Sequence, residues 1–324
     1  MENRNDFRVA VLCLAYNQAK LIAQCLDGFV MQQTNFPYYA VVHDDASTDG
    51  TAEIIKSYAE KYPKIIRPIF ETENQWSQKN DTIRRIMFDS CKDAKYIAMC
   101  EGDDYWIDPL KIQKQVDFLE THVDYGFVGT NICLDVNGII SKEKPVFSSG
   151  KIEGDFILLG DVFEDAVGGP VTRTVSLLYR KDLMLPYAEF FFSSDIVIES
   201  ILAKQSKYAF YQEYASVYRV GVGISSSSNK LEKALAYNEI CINSRRIQNQ
   251  LFPSDCHWPE DELEDREFYI RLIYAIRKVK WKDALKYKHM LKSKVYRKKT
   301  YSRLLHGPFS CLLLRVGLQL KHHD

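Results

Sequence analysis

The sequence predicts an α/β fold, a mostly parallel sheet with helices on both faces, and three observations predict it. Short apolar runs alternate with segments of helical periodicity through residue 125. The connections between them are short, as in chains that wind strand to helix to strand. The conspicuous polar residues follow the apolar runs directly, and in such sheets ligands bind beyond the carboxyl ends of the strands.

The first strand is Val9 to Ala15, "VAVLCLA", a continuous apolar run of the kind buried on both faces. Leu21, Ile22, Cys25, Leu26, Phe29 and Val30 follow at helical spacing. The pattern repeats as "YYAVVHDD" and then "STDGTAEIIKSYAEKYP", where Ser47, Thr48 or Asp49 can cap a helix. A third unit runs from "KIIRPIF" to the helical "NDTIRRIMFDSCK", and the fourth strand is "KYIAMC". Asp108 and Pro109 read as N-cap and first position of the helix "LKIQKQVDFLETH". After residue 126 the rhythm changes to strands "GFVGTNICLDVNG", "RTVSLLYR" and "ASVYRV" around the helix "SDIVIESILAKQ", and mixed or antiparallel pairing is expected. From Asn229 onward the spacing turns helical, and "GVGISSSSN" has the composition of the loop between the two parts.

Composition excludes little. Lys plus Arg and Asp plus Glu both number 43 in 324 residues, so net charge points to no class of partner. Its distribution is uneven: Asp255 to Glu267 is acidic, whereas Arg277 to Arg303 holds twelve Lys or Arg against Asp283. Interleaved with Trp281, Leu285, Tyr287, Met290 and Leu291, that basic stretch reads either as a surface for an anionic membrane or as packed helices with a solvated face. No nucleic-acid-binding motif accompanies it. Eight cysteines lack zinc-ligand spacing and suit a reducing compartment. The N-terminal residues carry no export signal and no run is long enough to span a bilayer, so a cytoplasmic protein is expected. Neither GxGxxG nor GxxxxGK[ST] occurs, which argues against dinucleotide and P-loop chemistry.

Chemistry gathers in two acidic motifs. In "YIAMCEGDDYWIDP", Glu101, Asp103 and Asp104 fall within four residues, and such a cluster is repulsive unless hydrogen bonds or a cation intervene. Carboxylate oxygens suit Mg²⁺ or Mn²⁺, commonly shared with a substrate's phosphates. The second motif is Asp44-Asp45 in "HDDASTDGT", ahead of any helix cap. Tyr16 and Asn17 follow the first strand, so one crevice can collect them all. Trp106 and Tyr105 read either as a stacking surface for a sugar or as core.

Taken together, "LAYNQAKLIAQCLDGFVMQQ", "VVHDDASTDGTAEII" and "YIAMCEGDDYWIDPLKIQKQVDFLE" closely resemble the bacterial family 2 glycosyltransferases of GT-A fold, over residues 8 to 225. The resemblance implies an inverting enzyme with a nucleotide-sugar donor, usually UDP-linked, a divalent cation (Mn²⁺ or Mg²⁺) and a glycan or lipid-linked saccharide acceptor, as in surface-polysaccharide assembly. By that likeness Ala15 and Tyr16 flank the base, Asp45 hydrogen-bonds it with Asp44 and Asn17 nearby, and Lys79-Asn80 lie near the donor. Glu101 and Asp103 serve the donor, Asp103 and Asp104 the cation and ribose. Asp195 falls on the catalytic-base position, preceded by Ser194 rather than the usual Glu or Gly, with helix capping as its alternative role. Gly221 stands where many relatives have a histidine, leaving Arg219 or the "GISSSS" loop to supply a phosphate contact.

The implied organisation is a catalytic domain over residues 1–228, with a nucleotide half at 8–125 and an acceptor half at 126–228, then a helical region over 229–324 that could bring the protein to the inner membrane surface. A sugar nucleotidyltransferase is the rival enzyme, but it would need a Gly-rich basic loop that "LAYNQAKL" lacks. A relative that binds nucleotide sugar or a partner without turnover is the non-enzymatic alternative.

Overall fold

The computed structural model describes residues 8–78, 81–143, 150–222, 230–278 and 280–292. The chain divides into two compact units, Met1–Ser225 and Ser226–Asp324. The first opens with β1 (Val9–Ala15), α1 (Ile22–Val30), β2 (Tyr38–Asp44), α2 (Thr51–Lys61), β3 (Ile66–Phe70), α3 (Thr82–Ser90) and β4 (Tyr96–Met99). It continues with β5 (Tyr105–Trp106), α4 (Lys111–Thr121), β6 (Tyr125–Val136), β7 (Ile139–Lys142), β8 (Lys151–Glu153), β9 (Phe156–Gly160), α5 (Phe163–Gly168), β10 (Leu178–Arg180), α6 (Asp195–Gln205) and β11 (Lys207–Arg219).

One sheet runs in the order β3-β2-β1-β4-β10-β6-β11-β9-β8. The apolar run of β1 is central because it pairs on both sides, Val9 lying opposite Tyr38 of β2 and Tyr96 of β4, both parallel. Helix α1 lays Ile22, Cys25, Leu26 and Phe29 onto this sheet, all fully buried. Each large side chain so covered contributes about 1.5–3 kcal/mol. Parallel pairing prevails from β3 to β4. Beyond it, β10 enters antiparallel to both β4 and β6, and β6 with β11 is parallel again. The mixed pairing expected after residue 126 is therefore present, within the α/β class that the sequence predicts.

One local alternative is resolved, and two expectations need correction. Helix α2 starts at Thr51 after Gly50 in the left-handed region (φ 95°), and the residue that satisfies its first turn is Asp49, whose Oδ1 accepts the Thr51 N–H at 3.1 Å. Ser47 and Thr48 are occupied with Asn17 instead. Helix α4 begins at Lys111 with Leu110 as cap, because Asp108 Oδ1 closes a turn on the Leu110 N–H at 2.8 Å. Of "RTVSLLYR" only β10 is strand; Thr174–Ser176 form a 3-10 turn.

The second unit holds α7 (Lys230–Leu251), α8 (Glu260–Arg277) and α9 (Trp281–Met290). Leu272, Ala275 and Ile276 of α8 pack with Ala284 and Leu291 at α9 and beyond, with Tyr287 alongside. The basic stretch from residue 293 lies outside the described residues. Among the described residues no helix is long and apolar enough to cross a membrane.

Candidate active site

The carboxyl ends of β1, β2 and β4 lie side by side, so the loops that follow them share one edge of the sheet. At β1 and β2 these loops are laced together by side chains. Asn17 adopts φ 52°, a conformation Asn tolerates, and this lets its Oδ1 accept the Thr48 N–H at 2.9 Å while its own N–H donates to Ser47 Oγ at 2.9 Å. The Gln18 N–H donates to Thr51 Oγ1 and the Ala19 N–H to Asp49 Oδ2. Ala15 is buried beneath, and Tyr16 stands out into solvent, 48% exposed.

Asp44 and Asp45 are both buried but are used differently. Asp45 accepts the Gln75 N–H on Oδ1 at 2.7 Å and the Trp76 N–H on Oδ2 at 3.0 Å, so its carboxylate is committed to the turn after β3. The expected hydrogen bond from Asp45 to a base would share a carboxylate already engaged by two backbone amides. Asp44 accepts the Ser47 N–H on Oδ2 at 3.0 Å, and its Oδ1 is buried with no hydrogen-bond partner among the described residues. A buried carboxylate oxygen left in that state is costly until a donor arrives. Lys79 and Asn80 lie outside the described residues.

The acidic motif is pinned to β1 by backbone bonds, Cys100 N–H to Leu12 O and Gly102 N–H to Leu14 O. Glycine at 102 keeps this approach close, because a Cβ would displace the Gln18 amide, 2.3 Å away at Oε1, and press on Leu14 O at 3.0 Å. Asp104 is 3% exposed, and its Oδ1 accepts the Arg219 N–H at 2.8 Å. Burial, reinforced by the charge of Asp103, pushes its carboxyl well above the usual range. Asp103 is less enclosed; burial raises it, while its own N–H and Arg219 hold it back. Among the described residues no other side chain hydrogen-bonds to Asp103. Glu101 is pushed up to about 8, chiefly by burial and then by the charges of Asp103 and Asp195.

Arg219 and Trp106 are corrections. The Arg219 side chain is 7% exposed, donates from Nη1 to the Asp103 carbonyl at 2.6 Å and from Nη2 to Gln24 Oε1, and lies 4.4 Å over the Tyr105 ring. It clamps the acidic turn, and its side-chain hydrogen bonds are made within the protein. Trp106 is 2% exposed, donates from Nε1 to Val175 O at 2.8 Å and meets Phe29 edge-on at 5.1 Å. Both aromatic residues belong to the core, which closes their sugar-stacking alternative.

Asp195 enters from the other half of the sheet as the first residue of α6. The helix is capped by Ser194, whose Oγ accepts the Val197 N–H, so the capping alternative falls to the neighbour. Asp195 accepts the N–H of Ile196 only one residue on, at 2.9 Å. Burial raises its carboxyl, and Ile196 N–H and Arg173 oppose the rise. The charges of Asp103 and Asp195 both add to the rise at Glu101.

Sequence reasoning missed Gln24, Arg173 and Glu199. Glu199 lies fully buried one turn after Asp195 and accepts the N–H groups of Val171 and Thr172 on Oε2. Its signal was present: an acid inside the otherwise apolar "IVIESILA". Nothing local marked Arg173 or Gln24.

Among the described residues no three His, Cys, Asp or Glu gather as a preformed metal cage. The donor set nevertheless fits a magnesium-type ion that takes one or two carboxylates and completes its shell with phosphates and water. Asp103 leaves its carboxylate available for that use, whereas Asp104 has one oxygen engaged.

Residues 10–155 match the family model described as glycosyl transferase family 2. Rv1520, an uncharacterized protein of Mycobacterium tuberculosis (strain ATCC 25618 / H37Rv), is 41% identical over 177 residues, 53% of this chain and 47% of that protein. The chain thus spans about half the length of the curated relatives it matches most strongly. The Escherichia coli UDP-Glc:alpha-D-GlcNAc-diphosphoundecaprenol beta-1,3-glucosyltransferase WfaP is 24% identical over 72% of this chain and 84% of its own. Among solved structures, S. aureus TarS 1-349 in complex with UDP-GlcNAc superposes with a TM-score of 0.55 at 15% identity, covering 88% of this chain and 82% of that one. The likeness shows a shared GT-A architecture. Residues 10–155 are thus similar to the family 2 glycosyltransferases, and the chain shares the architecture of the GT-A fold.

Proposed function

We propose that the chain is an inverting glycosyltransferase that moves a sugar from a UDP-linked donor to a glycan or lipid-linked saccharide, as in bacterial surface-polysaccharide assembly. The observation that carries the reading is the acidic turn Glu101–Asp104, bonded to β1 on the sheet edge it shares with the loops after β1 and β2. Tyr16, exposed at the end of β1, would lie against the base, and the unpartnered Asp44 Oδ1 would accept a donor N–H from it. Asp103, with Asp104 behind it, would hold Mn²⁺ or Mg²⁺. When bound, such a cation offsets the charge gathering on a diphosphate leaving group. Asp195 would take the proton from the acceptor hydroxyl as its oxygen attacks the anomeric carbon, and one displacement inverts that centre. Because Ser194 carries the cap, Asp195 keeps basicity that capping would remove.

Support for a UDP-linked donor comes from the donor named for WfaP and from the UDP-GlcNAc held by TarS. The proposed place of action is the cytoplasm, with the basic C-terminal stretch as a contact to the inner membrane surface. A thermal-shift panel of nucleotide sugars, each with Mn²⁺, Mg²⁺ or chelator, tests the reading, since a ligand of the folded state raises apparent stability by mass action. One cation-dependent shift is expected. No shift with any donor would overturn the donor assignment and move a partner-binding role ahead.

A further inference from the structure

The proposed site is rich in carboxyl groups, yet a sugar nucleotide brings more negative charge into it. Arg219 is buried against the acidic turn, so beside the proposed metal ion a more exposed cationic side chain would meet that charge. Arg173 is such a side chain. Its guanidinium lies 5.3 Å over the ring of Tyr218, the residue before Arg219. Its side chain is 46% exposed, and its ion pair with Glu143 at 3.2 Å is solvent-facing and therefore weak. We propose that Arg173 binds a phosphate group of the substrate and that Glu199 is the buried latch holding it in place, an inference that rests on the glycosyltransferase reading above.

The backbone around Arg173 is unusually well held for a residue with an exposed side chain. On one side, Glu199 accepts the N–H groups of Val171 and Thr172. On the other, Ser176 donates from both its N–H and its Oγ to the Arg173 carbonyl, at 2.8 and 2.9 Å, and the Thr172 and Ser176 hydroxyls are bonded to each other. Glu199 sits four residues after Asp195 on α6, so the same helix carries the proposed base and fixes the segment carrying Arg173. Among the described residues no cation is bonded to this buried carboxyl and its second oxygen, Oε1, has no partner, which is costly. That cost is explained if the position of Arg173 relative to Asp195 matters. The planar guanidinium fork matches two phosphate oxygens at once, which an ammonium group cannot do.

The phosphate has two sources, the donor's diphosphate or a phosphate on the acceptor. Calorimetric titration of the full chain in Mn²⁺ with UDP and with uridine separates them. Arg173→Gln should weaken UDP tenfold or more and leave uridine unchanged, with Arg173→Lys recovering part of the loss. Glu199→Leu should act in the same direction as Arg173→Gln, and Glu199→Gln, which still accepts the two N–H groups, should act less. If UDP binding holds in Arg173→Gln, but KM rises for a polyprenyl-diphosphate saccharide and not for the free saccharide, the phosphate is the acceptor's. Unchanged UDP affinity together with unchanged KM for both acceptors overturns the proposal, as does an equal loss for UDP and uridine with a lowered melting temperature. Failure of the unmutated chain to bind any sugar nucleotide is a different result, since it removes the glycosyltransferase reading itself.

Discussion

The two ends of the candidate cleft are built on opposite principles. Where β1 and β2 end, almost every polar group is answered: Asn17, Ser47, Thr48, Asp49 and Thr51 exchange hydrogen bonds across two loops, and Asp45 ties a third. Where β4 and α6 meet, Glu101, Asp103, Asp104 and Asp195 are crowded carboxyl groups, each raised by burial. The first end is rigid and shape-giving. The second is electrostatically incomplete, and incomplete charge is what a cation or a reacting proton resolves. Changes at the first end should act through geometry and stability, and changes at the second through chemistry and pH.

The sharpest division comes from Asp195→Asn. Loss of a positioned base should lower sugar transfer by about 10²–10⁴-fold while leaving donor affinity unchanged. An unaltered rate of product formation would remove Asp195 from the mechanism. Gly102→Ala reaches both ends at once, because the added Cβ collides with Gln18 and the β1 backbone. Urea unfolding should show a loss of about 1–3 kcal/mol, typical of overpacking, with weaker donor binding; no loss would mean that the acidic turn shifts freely.

The pH response is the next test. The Glu101 carboxyl is held near 8 in the fold against an ordinary value of 4.5, so the folded state keeps a proton that the unfolded chain releases. The stability it contributes is fully present below about 4.5 and is lost as pH rises toward 8. Asp103, Asp104 and Asp195 are shifted in the same direction. The melting temperature of the ligand-free protein should therefore fall from pH 5 to pH 8 more steeply than that of Glu101→Gln, and Mn²⁺ should recover part of the difference. Parallel curves for the two proteins would contradict the crowding. The smallest expected effect is that of Ser194→Ala, about 1 kcal/mol of stability from a lost cap. If it also reduces transfer at constant donor binding, Ser194 positions Asp195 as well as capping α6.

Legibility in the sequence followed distance along the chain. Strand and helix positions in the first half were readable because burial imposes a period within a few residues, as in "VAVLCLA" and the α1 face. The acidic motifs were readable because their members are adjacent. The surroundings of Asp45, Trp106 and Arg219 were not readable, for one reason. Residue type shows what a side chain can do, but its partners, the Gln75 and Trp76 amides, the Val175 carbonyl and the Asp103 carbonyl, lie 30 or more residues away.

By itself, then, the sequence determined the alternation of strands and helices, the edge of the sheet where polar residues collect, and the acidic chemistry there. These follow from periodicity and from neighbours in the chain. Only the tertiary structure decided that β10 inserts antiparallel between β4 and β6, that Arg219 spends its hydrogen bonds behind the acidic turn, and that Glu199 and Arg173 flank Asp195. Those are matters of sheet order and long-range pairing, and the free energy that selects them belongs to the packed core as a whole, which no local stretch encodes.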